Sequence, residues 1–331
     1  MTAAPVLRVD GLRVDYPTPR GELAAVDGIE FTVERGEILG LIGESGSGKT
    51  TTAMAILRLI QPPGRIGGHA TLDGGTDLLA LGEKELRRLR WRGMALIPQG
   101  ALNALNPLLR VGDQLEDVIL THEGRGARKG LAERLDALYQ TVGLPRRVGR
   151  HYPHELSGGM RQRVCIAMAI ALDPPLVIAD EPTSALDVIV QRVVAQTLLD
   201  VKRRLGIAFV LIGHDIGLMA QLADRVAVMY RGKIVEIGPT EELFASPRHP
   251  YTRMLIDAVP AIGHKATVKV AEGLAPDPFD QAPGCVFQRR CPYVFGPCRV
   301  AHPPLERAGT DHSVACYLLR DAAAPTEGAS A

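Results

Sequence analysis

Cysteine is almost missing from most of this chain: Cys165 alone precedes Cys285. No cysteine-based scaffold can be built over that length. Excess charge is missing too. A net charge of +1 leaves no global electrostatic case for nucleic acid or an anionic membrane. The basic run Arg87-Arg88-Leu89-Arg90-Trp91-Arg92 reads as a solvated helix face. No stretch approaches the roughly 18–20 apolar residues of a membrane span. The longest candidate, Cys165 to Leu172, stops at Asp173-Pro174-Pro175. The opening Met1-Thr2-Ala3-Ala4-Pro5 has neither a basic segment nor an apolar one, so no secretory signal is expected. These absences predict a cytoplasmic chain, in which thiols stay reduced and a disulfide framework is not expected.

What is present is an ordinary soluble composition, 46% hydrophobic and 23% charged. The 331 residues suffice for one large domain and a small one. Val6 to Tyr16 alternates as strands do, and a second strand region lies near Ile29 to Val33. Ile38 to Ile42, Leu176 to Ala179 and Ala208 to Ile212 are short continuous apolar runs, the pattern of strands buried on both faces. Helical patterns at Thr50 to Ile60, Gly159 to Leu172 and Val188 to Leu205 separate them. The alternation predicts an α/β fold with a mostly parallel sheet. A helical insertion is expected at about 100–165. Beyond Ala261 proline, glycine and cysteine rise, which sets expected boundaries at 1–260, at 261–320 for a small accessory domain with four cysteines, and at 321–331 for a disordered tail. No internal repeat is visible, so one nucleotide site per chain is expected at most.

Gly43-Glu44-Ser45-Gly46-Ser47-Gly48-Lys49-Thr50 fits G-x-x-x-x-G-K-[ST] between a buried strand and a helix. Its glycines let successive backbone N–H groups face one anion, and the following helix points its positive end there. Lys49 can reach the outer phosphates and Thr50 can offer its hydroxyl to Mg²⁺. No dinucleotide fingerprint can be laid on these residues. Asp180 and Glu181 end an apolar strand as adjacent carboxylates, at the edge where open α/β sheets bind ligands. Adjacent strand residues point to opposite sides. Asp180 is therefore assigned to the metal and Glu181 to the general base. In Leu156-Ser157-Gly158-Gly159-Met160, Ser157 is a helix N-cap candidate and the two glycines leave N–H groups open to an anion.

In these motifs the chain resembles the nucleotide-binding subunits of ATP-binding cassette (ABC) transporters, over about residues 6–260. The resemblance rests on the phosphate loop, Gln99, the Leu156-Ser157-Gly158-Gly159 signature, Asp180-Glu181, Ser184-Ala185-Leu186-Asp187 and His214. It implies a P-loop cassette with a parallel-sheet core, an antiparallel β subdomain and a helical subdomain, acting as an ATP hydrolase. It implies nucleotide contacts from Tyr16, Gly43, Ser45, Gly46, Gly48, Lys49, Thr50 and Thr51. Mg²⁺ would be held by Thr50, Gln99 and Asp180. His214 would hold the γ-phosphate and the attacking water, and Glu181, His214 and Lys49 form the catalytic set. Ser157, Gly158 and Gly159 would face the nucleotide of a second subunit, identical or homologous.

Tyr152 to Val164, Leu105-Asn106-Pro107 and Pro247 to Thr252 further resemble the oligopeptide/dipeptide (and nickel) importer ATPases. That resemblance implies two membrane permease subunits, an external solute-binding protein, no nucleic acid, and a position on the cytoplasmic face of the cell membrane. Import of nickel or another small solute, and a soluble ABC ATPase acting on ribosomes or DNA, are the alternatives. Gly100 and Gly213 depart from the group's pattern, which has Asp after the glutamine and a hydroxyl or branched residue before the histidine.

Five, six and seventeen residues separate Cys285, Cys291, Cys298 and Cys316. Zinc ribbons and bacterial ferredoxins use shorter spacings, so spacing alone leaves unliganded thiols open. A short, proline-rich tail needs a staple. The tail resembles the C-terminal extension of the importer ATPases, some members of which carry a four-cysteine [4Fe–4S] site. A structural [4Fe–4S] cluster is the expectation, with Zn²⁺ as the alternative.

Overall fold

The computed structural model describes residues 4–100, 104–258, 279 and 283–319. In chain order the strands are β1 (Leu7–Thr18), β2 (Gly21–Val33), β3 (Ile38–Ile42), β4 (Arg65–Leu72), β5 (Thr76–Asp77), β6 (Met94–Ile97), β7 (Leu176–Asp180), β8 (Ala208–Ile212), β9 (Arg225–Tyr230), β10 (Lys233–Pro239), β11 (Glu306–Arg307) and β12 (Ser313–Val314). They form an antiparallel sheet of order β2-β1-β4-β5 and a larger sheet of order β11-β12-β10-β9-β3-β8-β7-β6. From β9 to β6 the larger sheet is parallel. The fold is thus the expected cassette: parallel-sheet core, antiparallel β subdomain, and helices Val111–Glu123, Leu131–Thr141 and Gly158–Ala169 in the insertion.

The three continuous apolar runs are strands β3, β7 and β8, and every residue in them is buried. Side chains alternate between faces along a strand, so each run serves two cores. Leu39, Leu41, Ile178, Val210 and Ile212 join the core shared with the antiparallel sheet and Ile56 of the helix Lys49–Ile56. Ile38, Ile42, Val177, Phe209 and Leu211 join the core shared with Leu115, Leu135 and Val164 of the insertion helices. Parallel pairing brings the C-terminal ends of β3, β8, β7 and β6 to one edge.

The described tail adds to this body. β12 pairs with β10 through Glu236↔Val314 and Ile237↔Ser313, and the Ala315 N–H donates to the Val235 carbonyl at 2.8 Å. Phe287 is buried against Tyr230 and Tyr251, with ring centroids 5.3 and 5.4 Å away. The expected disordered tail, 321–331, lies outside the described residues.

The Pro247 to Thr252 motif has a physical explanation. Buried Glu236 accepts the N–H groups of Arg248 (2.8 Å) and His249 (3.0 Å) and faces Nε2 of buried His312 at 2.8 Å. Burial pushes the Glu236 carboxyl up, but hydrogen bonds from His312, Thr252, Arg248 and His249 hold it below the usual range. His249 Nδ1 accepts the Tyr251 N–H at 3.0 Å, capping the helix Pro250–Asp257 with an imidazole. That cap requires an unprotonated Nδ1. Burial pulls the His249 pKa down to about 4, partly opposed by Glu236.

The unfolded chain therefore takes a proton on His249 before the folded one does. Its contribution to stability is complete above the ordinary value of 6.5 and falls as pH drops through about 4. Between those pH values the expected loss from His249 is about 3 kcal/mol. Thermal melts from pH 8 to pH 4 should show a shallower acid decline in His249→Asn, which can cap without titrating.

Candidate functional site

The phosphate loop leaves β3 at Ile42 and enters its helix at Lys49. Gly43 (φ +151°) and Gly48 (φ +104°) lie in the left-handed region. A Cβ on Gly43 would come within 2.2 Å of the Met229 carbonyl oxygen, and one on Gly48 within 2.5 Å of the Ala25 carbonyl oxygen. Backbone crowding as well as conformation demands glycine there. Lys49 is buried, and its ammonium donates to the carbonyls of Gly43 (2.7 Å) and Glu44 (2.8 Å) and to Ser47 Oγ (3.2 Å). Burial lowers its pKa, and Glu181, Asp180 and Glu44 oppose that shift.

Thr50 Oγ1 donates to Asp180 Oδ1 at 3.2 Å. Asp180 is buried; burial raises its carboxyl above the usual range, against the Thr50 hydrogen bond and the Lys49 charge. Glu181 follows in the left-handed region at φ +46°, with its N–H on the Ile212 carbonyl at 2.9 Å and its own carbonyl accepting the Ser184 hydroxyl at 2.9 Å. That turn swings its carboxylate from the strand towards Gln99 and His214. Gln99 Nε2 donates to Glu181 Oε2 at 2.8 Å, and His214 Nδ1 lies 3.2 Å from Oε1. Lys49, Thr50, Gln99, Asp180, Glu181 and His214 thus form one cluster at the sheet edge. Asp215, not His214, caps the helix Ile216–Leu222 by accepting the Leu218 N–H at 3.0 Å.

Tyr16, Ser45, Gly46, Gly48 and Thr51 line a cavity of about 950 Å³ beside this cluster. Tail residues Pro283, Val286 and His302 line its far wall. Ser157 accepts the Met160 N–H at 3.3 Å as an N-cap, and Gly159 leaves room for Val190, whose Cγ1 a Cβ would meet at 2.3 Å. Ser157, Gly158 and Gly159 do not line that cavity. Gly100 adopts φ +73°, and a Cβ on Gly213 would come within 2.5 Å of Met219 Cε. The positive φ thus favours glycine at Gly100, whereas at Gly213 only the flexible end of Met219 would have to move.

Neither the phosphate-loop motif nor the Pro247 to Thr252 motif gives Glu44 or Tyr251 a site role of its own, and Arg290 lies in no motif, yet the three meet at the loop. The Glu44 N–H donates to the Tyr251 hydroxyl at 2.9 Å, and Arg290 binds the Glu44 carboxylate. Glu44 occupies a variable position of the loop motif and its partners lie over two hundred residues away, so no local signal marks them. Burial pushes the Cys285 thiol to about 11, with Cys298, Cys291 and Cys316 adding to the shift; the four thiols are electrostatic neighbours. Among the described residues no group of three or more His, Cys, Asp or Glu is arranged to hold a metal ion. Cys165 stands apart, its thiol raised to about 12 by burial.

A phosphate loop at the end of β3, carboxylates at the end of β7, a histidine after β8 and a glutamine after β6 define an ABC-type ATP-binding cassette. Residues 26–184 match the ABC transporter family, and residues 235–298 match the oligopeptide/dipeptide transporter C-terminal region. The chain is 42% identical to the oligopeptide transport ATP-binding protein OppD of Salmonella typhimurium, over 94% of this chain and 93% of that one. It is 41% identical to the dipeptide transport ATP-binding protein DppD of Escherichia coli, over 97% and 99%. A solved dimeric structure of MJ0796, a bacterial ABC transporter cassette, is 27% identical, with TM-score 0.62, covering 71% of this chain and 98% of that one. The chain belongs to the ABC transporter ATP-binding subunits of the oligopeptide/dipeptide group, enzymes that couple ATP hydrolysis to transport.

The Gly43 geometry gives a direct test. Gly43→Ala should keep the folded circular dichroism yet weaken ATP binding about tenfold or more, because the loop must shift off the Met229 carbonyl. Nucleotide titration by calorimetry checks it.

Proposed function

We propose that this chain drives uptake of di- or oligopeptides through membrane permease subunits, using ATP bound between its phosphate loop and the Ser157-Gly158-Gly159 signature of a second ATPase subunit. The observation that carries the catalytic reading is the Glu181 carboxylate, held at one oxygen by Gln99 and facing His214 at the other, one residue beyond Asp180. Water attacks the γ-phosphorus in line, Glu181 accepts the water's proton, and the bond from phosphorus to the β–γ bridging oxygen breaks to release ADP. Lys49 and the partner's signature N–H groups stabilise charge on the γ-phosphate oxygens. The Thr50 hydroxyl, the Asp180 carboxylate and the Gln99 amide are all oxygen donors, which suits Mg²⁺, and Thr50 and Asp180 already touch at 3.2 Å. When bound, Mg²⁺ neutralises phosphate charge. Tyr16 stacks on the adenine, and His214 orients the attacking water.

Two exposed apolar surfaces support the assembly. Leu108 (82% exposed) and Leu109 follow Gln99 in the chain, where the permease-facing surface is proposed. Val188 and Ile189 stand exposed just after Asp187, the N-cap of helix Val188–Leu205, where the second ATPase subunit would dock. Among the described residues no helix is long and apolar enough to cross a membrane, so attachment to the cytoplasmic face runs through the permeases. The substrate class rests on the named relatives and the matched C-terminal region. In the complex reconstituted with permeases and binding protein, Glu181→Gln should still bind ATP while peptide-stimulated hydrolysis falls about 10²–10⁴-fold. Near-parental turnover would remove Glu181 from the base role, and stimulation by nickel but not peptides would overturn the substrate class.

The same reading extends to the four neighbouring thiols of Cys285, Cys291, Cys298 and Cys316. An all-sulfur donor set has the chemistry for a [4Fe–4S] cluster, which would staple the tail, although the thiols are not grouped around a metal position among the described residues. Anaerobic purification should yield iron and sulfide at about four of each per chain, lost in Cys291→Ser. Zinc in their place, or metal-free native protein, rules the cluster out.

A further inference from the structure

The tail does more than line the cavity: it grips the phosphate loop. The Arg290 guanidinium, its side chain only 8% exposed, donates from Nη1 to Glu44 Oε2 at 2.7 Å and from Nη2 to Oε1 at 2.9 Å. This is a bidentate pair, the geometry that gives arginine–carboxylate bonds their strength and direction. Glu44 is the second residue of the loop. Its carbonyl accepts from Lys49 Nζ and its N–H donates to the Tyr251 hydroxyl, so the peptide between Arg290 and Lys49 is held on three sides. The Arg290 guanidinium also lies over the Tyr230 ring, 5.8 Å from its centroid, and Tyr230 and Glu44 both line the cavity.

Arg290 is not needed merely to hold the tail in place. β12 is already bound to β10, Phe287 is buried among Tyr230, Tyr251 and His249, and His312 is paired with Glu236. What Arg290 does contribute is charge. An unpaired Glu44 carboxylate beside the loop would repel a polyphosphate across a poorly screened cavity. It would also free the loop's first peptides to rotate.

We propose that Arg290 is a positioning residue of the ATP site: it neutralises Glu44 and fixes the phosphate loop in its anion-binding form, so that the C-terminal segment sets the affinity for ATP. This rests on the reading of residues 43–50 as the ATP site. Two substitutions should then act in opposite directions. Arg290→Ala leaves a bare carboxylate at the loop, whereas Glu44→Gln removes the negative charge and leaves the guanidinium facing the nucleotide.

ATP titration of the purified full chain, with KM and kcat of hydrolysis, provides the test. Arg290→Ala should weaken ATP binding about tenfold, through KM far more than kcat. Glu44→Gln should bind ATP more tightly than the parent, and Arg290→Lys should be intermediate between parent and alanine. The double variant Arg290→Ala/Glu44→Gln should recover to within about threefold of the parent, a rescue that simple loss of tail docking would not give. Parental affinity in Arg290→Ala, or a double variant as weak as Arg290→Ala, overturns the proposal while the ATP site stands. A parent chain that does not titrate with ATP overturns the ATP site and this proposal with it. Should Arg290→Ala lose its folded circular dichroism, Glu44→Gln decides alone: weaker ATP binding overturns the proposal.

Discussion

Lys49 is a buried cation, and a buried ammonium is tolerated only when oxygen surrounds it. Two loop carbonyls and the Ser47 hydroxyl supply that oxygen here, and the Asp180 and Glu181 charges favour the protonated form. Much of the site's architecture serves this requirement. The loop must curl so that the Gly43 and Glu44 carbonyls point inward at one lysine, which forces glycine where Met229 and Ala25 crowd the backbone. The strand carrying the carboxylates must run parallel to the strand carrying the loop, in the same sheet, so that both end at one edge.

The two carboxylates at that edge meet different partners because the chain turns between them. Asp180 is still in the strand, buried and bound to Thr50. Glu181 has left it at a positive φ and faces the loops after β6 and β8. Burial raises the Asp180 carboxyl, and the charge of Lys49 and the hydroxyl of Thr50 work against that rise. One dipeptide therefore presents one carboxylate to Thr50 and the next to Gln99 and His214, with no extra motif.

The C-terminal region is tied to this machinery at the level of individual atoms. Glu236, His312 and His249 hold the tail strand and the helix Pro250–Asp257 against β10, and that helix carries Tyr251 to the Glu44 N–H. The signature glycines, in contrast, lie off the cavity at the start of the helix Gly158–Ala169, with Gly159 buried against Val190.

Local pattern determined much of this in advance. Apolar runs of five residues are strands buried on both faces because only such strands keep both sides dry. A glycine-rich turn between strand and helix is a phosphate cradle, and Ser157 caps its helix, because a few consecutive residues carry all the needed geometry. The contacts that join Gln99 to Glu181, Tyr251 to Glu44 and Arg290 to Glu44 span 82, 207 and 246 residues. Each depends on which strands are neighbours and where the tail strand docks, which no local period encodes. The same holds for the cysteines: their spacing left their purpose open, and only the folded tail shows Cys285 within electrostatic reach of Cys291, Cys298 and Cys316.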